Sequence, residues 1–85
     1  MKSERRYPLQ DAAEECGVTT DVIARFMALK WVIPPEGRHQ ILDEEDIARA
    51  RLIMELQTEF GVNDEAIPII LHLIDQLNRI LLNSA

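Results

Sequence analysis

Few side chains in this sequence could carry covalent chemistry, and their spacing is unfavourable to it. Cys16 is the single thiol. It falls on the apolar face of a predicted helix that contains no cation, so it reads as a small core residue and not as a nucleophile. His39 and His72 are far apart and have no carboxylate at ligand spacing, which leaves no metal set. No glycine-rich phosphate loop occurs, no nucleophile stands beside a plausible base, and 85 residues leave little room for a pocket. The expectation is a non-enzyme without a cofactor. What remains is charge able to select a partner, carried by fifteen acidic and nine basic side chains.

These charges are unevenly placed. Up to Leu42 six basic and six acidic residues cancel, and the net charge of −6 lies wholly beyond it, where Arg49, Arg51 and Arg79 face nine acids. A protein that holds nucleic acid through its phosphates normally shows a basic face, and neither half is basic. The lone cysteine, the charged N-terminus and the lack of a long apolar run lead us to expect a cytoplasmic protein without signal peptide or membrane span. At this length one domain is expected, and so small a core generally needs supplementing, for which a second subunit is the candidate.

The elements that position the charges follow from periodicity. Residues 1–7 read as a flexible N-terminus. Residues 8–30 hold two short helices: Leu9, Ala12, Ala13 and Cys16 form one apolar face, Gly17 is a left-handed stop, and Thr19 or Thr20 offers a capping hydroxyl to a second helix burying Ile23, Phe26 and Met27. Two short helices about a glycine turn, with alanines that allow a close crossing, make a helix-turn-helix pattern. Residues 31–42 read as a β-wing: Trp31-Val32-Ile33-Pro34-Pro35 is extended, Glu36-Gly37-Arg38 turns, and His39-Gln40-Ile41-Leu42 returns to pair with it. Trp31 is placed as a plug between the wing and the second helix.

Asp43 is expected to cap a third helix over residues 43–60, with acids filling its first turn. Its buried side would be Ile47, Ala50, Ile53, Met54, Leu56 and Phe60. A fourth helix is expected over residues 63–82, begun by Asn63 or Asp64 and kinked by Pro68 just past its first turn. Between Ile67 and Leu82 ten of sixteen residues are Ile or Leu, more than one buried stripe needs. Ile67, Ile70, Ile74, Leu77 and Leu81 follow coiled-coil spacing, with Ile69, Leu73 and Ile80 beside them. If one set packs on the domain, the other needs a partner, and homodimerisation through Ile67, Ile70, Ile74, Leu77 and Leu81 is the expectation.

This order of elements resembles the MerR-like winged helix-turn-helix superfamily, an all-α class with two short helices, a short β-wing and two longer C-terminal helices. Gly17-Val18-Thr19-Thr20 and Trp31-Val32-Ile33-Pro34 match the turn and the wing lead-in of that superfamily without a gap. Within it the chain is similar to small chaperone modulators of the CbpM type, on the stretch Arg51 to Asn63 followed by an apolar helix with Asp75 near its middle. The resemblance implies binding to the J-domain of a DnaJ-like co-chaperone and inhibition of its activity. A J-domain presents a basic helix, and Glu55, Glu59, Asp64, Glu65 and Asp75 are the acids available to meet it. The alternative is a small MerR-type DNA-binding regulator using Arg25, Lys30 and Arg38. Against it, the arginine and aromatic cluster of DNA-binding relatives becomes Ala24-Arg25-Phe26 here, Gln40 falls at the wing arginine, and Lys30 replaces a glycine.

Overall fold

Gly17 and Lys30 show how the chain makes its first two corners. The computed structural model describes residues 5–35 and 40–83. Helix α1, Leu9–Cys16, stops at Gly17, whose φ of 70° is left-handed. The Gly17 N–H reaches the Glu14 carbonyl and the Val18 N–H the Ala13 carbonyl, the paired bonds of a Schellman stop. Helix α2, Thr20–Ala28, ends the same way. Lys30 takes the left-handed position with φ 65°, its N–H bonds the Met27 carbonyl, and the Trp31 N–H bonds the Phe26 carbonyl. The position where the superfamily has glycine is therefore one that needs a positive φ, and lysine occupies it at a steric cost. Thr19 precedes α2 without a side-chain capping bond, so the expected hydroxyl cap is not made.

The core lies where α1, α2 and α3 meet. Ala12 and Ala13 of α1 are buried against α2, whose Ile23 and Phe26 are closed to solvent. Trp31 is buried beside Phe26, with ring centroids 5.6 Å apart and the planes tilted by 38°, the plug expected of it. Leu9, Cys16 and Met27 lie partly buried at the edge. Burial is also the main reason the Cys16 thiol is pushed above its ordinary value, which keeps it protonated.

The small sheet differs from the expected ribbon. Strand β1, Tyr7–Pro8, pairs antiparallel with β2, Ile41–Leu42, with Tyr7 opposite Leu42 and Pro8 opposite Ile41. The segment before the wing is not its partner strand. Val32 turns inward and is fully buried while Ile33 points out, so the chain from Trp31 spends its backbone on the end of α2 and not on a ladder. Tyr7, placed by the sequence reading in a flexible terminus, is buried, and its hydroxyl donates to Glu44. The wing turn, with Arg38 and His39, lies outside the described residues.

Helix α3 runs Glu44–Thr58. It starts in a reciprocal capping box: Asp43 Oδ1 accepts from the Asp46 N–H at 2.9 Å, and Asp46 Oδ2 accepts from the Asp43 N–H at 3.1 Å. Ile47, Ala50 and Ile53 are buried on one side. Phe60, expected on that side, is 74% exposed. The helix has ended two residues before it, and Gly61 with φ 66° turns the chain away, with the Val62 N–H closing on the Leu56 carbonyl. Asn63 then caps a separate turn through a 3.0 Å bond to the Ala66 N–H, and α4 runs Ile67–Asn83. Pro68 is its second residue and not, as expected, just past the first turn, so its missing N–H costs no helical bond that would kink the entry.

Candidate functional site

The surface chemistry is organised by three arginines, each held by a carboxylate far away in sequence. Arg25, on the outer side of α2, binds Asp64 in the turn before α4. Its Cζ also lies 5.6 Å from the centre of the Trp31 indole, a cation over an aromatic face. The other Asp64 oxygen accepts from Gln57 Nε2 at 2.7 Å. Gln57 first and Arg25 second hold the Asp64 carboxyl below its ordinary range.

Arg49 ties three elements together. From α3 its Nε donates to the Trp31 carbonyl at 2.6 Å, while its terminal nitrogens reach both oxygens of Asp75 on α4 at 2.8 and 3.2 Å. This fork geometry makes a bidentate pair, and it lowers the Asp75 pKa. Arg51 joins α3 to α1, donating to the Glu15 carbonyl at 3.0 Å and to its carboxylate at 3.3 Å. Sequence reasoning did not single out Arg49, Arg51 or Gln57. Their partners lie 26, 36 and 7 residues away, and no local pattern encodes such pairs.

The five acids expected at a partner surface therefore divide. Asp64 and Asp75 are engaged inside the protomer. Glu55, Glu59 and Glu65 are exposed and form no ion pair among the described residues. The basic set divides as well: Arg25 is paired, Lys30 is exposed at the end of α2, and Arg38 is outside the described residues.

Helix α4 supplies the largest apolar feature. Ile67 and Leu71 anchor its start in the core, whereas Ile69, Leu73, Leu77, Ile80, Leu81 and Leu82 are all more than half exposed. Ile67, assigned by spacing to a dimer seam, is 0% exposed within its own protomer and has nothing left to offer a second chain. Ile70 and Ile74 are half-buried. The exposed stripe is Ile69, Leu73, Leu77 and Ile80, with Leu81 beside it. Both faces of this helix are aliphatic, so its own sequence could not say which would turn inward.

An open groove of about 590 Å³ runs between α3 and α4, walled by Leu52, Ile74 and Ile33 and crossed by the Arg49–Asp75 pair. Among the described residues no group of His, Cys, Asp or Glu is placed to hold a metal ion, and no helix is long and apolar enough to cross a membrane. His72 instead pairs with Gln76 at 3.1 Å.

The family model described as MerR HTH family regulatory protein matches residues 7–81. No curated protein and no solved structure gives a significant match.

Proposed function

The chain belongs to the MerR helix-turn-helix family of regulatory proteins, and from that premise we propose that it acts by binding a basic protein surface, the J-domain of a DnaJ-like co-chaperone, and inhibiting that co-chaperone. The observation that carries this reading is the fate of the charges. Arg25, Arg49 and Arg51 are taken by carboxylates of the same chain, while Glu55, Glu59 and Glu65 remain exposed and unpaired among the described residues. Charge of one sign on an accessible surface steers and selects an opposite partner. The resemblance of Arg51 to Asn63 and the helix after it to CbpM-type modulators supports this class of partner.

A homodimer is part of the proposal. Several exposed Ile and Leu side chains on one helix correspond to several kcal/mol of unrealised burial, at about 25 cal/mol per Å², and Leu73, Leu77, Ile80 and Leu81 form a stripe able to pack on a second copy. Light scattering checks the mass, with Leu77→Asp expected to return it to one chain.

Titration calorimetry against the J-domain co-chaperone of the same host tests the main reading. Saturable heat, weakened about tenfold by Glu55→Lys with Glu59→Lys, is the expected result, and no heat at tens of micromolar sinks it. A DNA-binding regulator is the second reading, favoured by the family match itself and by exposed Lys30. Retarded mobility of host DNA at low salt, lost in Lys30→Ala, is its expected result.

A further inference from the structure

We infer that Arg25 marks a latent phosphate-binding position on α2, kept closed by the Asp64 carboxylate of the same chain. The inference rests on the second reading above, a DNA-binding regulator, and adds a control on that surface. Arg25 lies on the outer face of the second helix of the helix-turn-helix, and its side chain is 49% exposed, so a nucleic acid laid along α2 could reach it. A guanidinium offers its donors in a planar fork that suits carboxylate and phosphate alike. The Asp64 carboxylate therefore occupies the donors that a phosphate oxygen would take.

Two features make this contact more specific than a chance pairing of surface charges. Asp64 is aimed from its other side by the 2.7 Å bond from Gln57, and the Arg25 Cζ lies 5.6 Å from the centre of the buried Trp31 indole. Asp64 is also held in its charged form, below the ordinary carboxyl range. Glu65, the next residue, is exposed and forms no ion pair among the described residues. Of the two adjacent acids, only Asp64 engages the arginine and Gln57. Lys30, exposed at the end of the same helix, adds a second cation to the surface that would open. The pair is half exposed on both sides, and such pairs are held weakly enough to be released by a competing anion or a single substitution.

The test is fluorescence anisotropy of the full chain with a labelled random-sequence DNA duplex, across a salt series starting low. Asp64→Asn is expected to tighten binding about three- to tenfold and to steepen the plot of log affinity against log salt by about one, the slope of one added phosphate contact. Adding Arg25→Ala to Asp64→Asn is expected to return both quantities to the wild-type values. Glu65→Gln removes the same charge without touching Arg25 and should change affinity less than twofold. Asp64→Ser, with far-ultraviolet circular dichroism matching the wild type, guards against a folding artefact of the amide. The proposal is overturned if Asp64→Asn binds no tighter than the wild type, if no protein binds, if Glu65→Gln has an equal effect, or if the double variant stays as tight as Asp64→Asn.

Discussion

Helices α2 and α4 are both rich in large apolar residues, yet the protein uses them in opposite ways. In the nine residues of α2, Ile23 and Phe26 are closed to solvent, and the helix end folds back so that Trp31 packs on Phe26. In the seventeen residues of α4 only Ile67 and Leu71 are buried, both within the first five. Beyond those two, Ile70 and Ile74 are half-buried, and the bidentate Arg49–Asp75 pair ties the helix to α3. The first helix closes its apolar side, whereas the second buries only part of its own and leaves Ile69, Leu73, Leu77 and Ile80 more than half exposed. Contiguous exposed apolar faces in general mark interaction surfaces, and the one on α4 is where the proposed second copy would pack.

That contrast predicts unequal responses to equal substitutions. Ile67→Ala should destabilise the protomer by about 2–5 kcal/mol, the range for truncating a buried aliphatic side chain. Leu77→Ala on the same helix should cost less than about 0.5 kcal/mol at concentrations where the protein is monomeric. Urea unfolding of both variants compares them, and similar losses would mean that the outer half of α4 is packed after all. Arg49→Ala should follow at about 1–2 kcal/mol, because it removes charge-assisted bonds to Trp31 and Asp75 together. Its more telling consequence is faster amide exchange in α4 than in α2. Asp43→Ala should cost about 1 kcal/mol through loss of the cap on α3, read from the thermal midpoint, with exchange in α4 unchanged.

One further effect depends on pH. Burial, the largest influence, pushes the Asp46 carboxyl from its ordinary 3.8 up to about 6, against the bond from the Asp43 N–H that lowers it. A raised acid binds its proton more tightly in the folded state. The stabilisation it contributes is therefore fully present below about pH 4 and is lost as pH rises through about 6. Asp46→Asn keeps an acceptor for the capping box and should not show this loss. Wild-type stability should therefore fall relative to the variant between pH 4 and 7, and parallel unfolding profiles would refute the assignment.

Much of the body was readable from local pattern because local physics decides it. Gly17 has to be left-handed to end α1, Asp43 and Asp46 are spaced for a reciprocal cap, and Ile23 with Phe26 lies one turn apart on the inward side of α2. The strand partner was misread because a two-residue strand carries almost no pattern, and Tyr7 enters the sheet through burial and its bond to Glu44, 37 residues on. Phe60 fits the period of α3, but the helix ends before reaching it. The site was less legible than the fold. Asp64 and Asp75 carry the same charge as Glu55, Glu59 and Glu65, and nothing in their neighbourhoods shows that two are engaged and three exposed.

By itself the sequence determined the four helices, the stop of α1 at Gly17, the concentration of negative charge beyond Leu42 and the surplus of aliphatic residues in α4, all of which depend on neighbours within a turn or two. Tertiary structure decided which side of α4 faces the core and which arginine meets which acid. Those choices follow from distances between segments remote in sequence, and an ion pair forms only where folding has already brought both partners together.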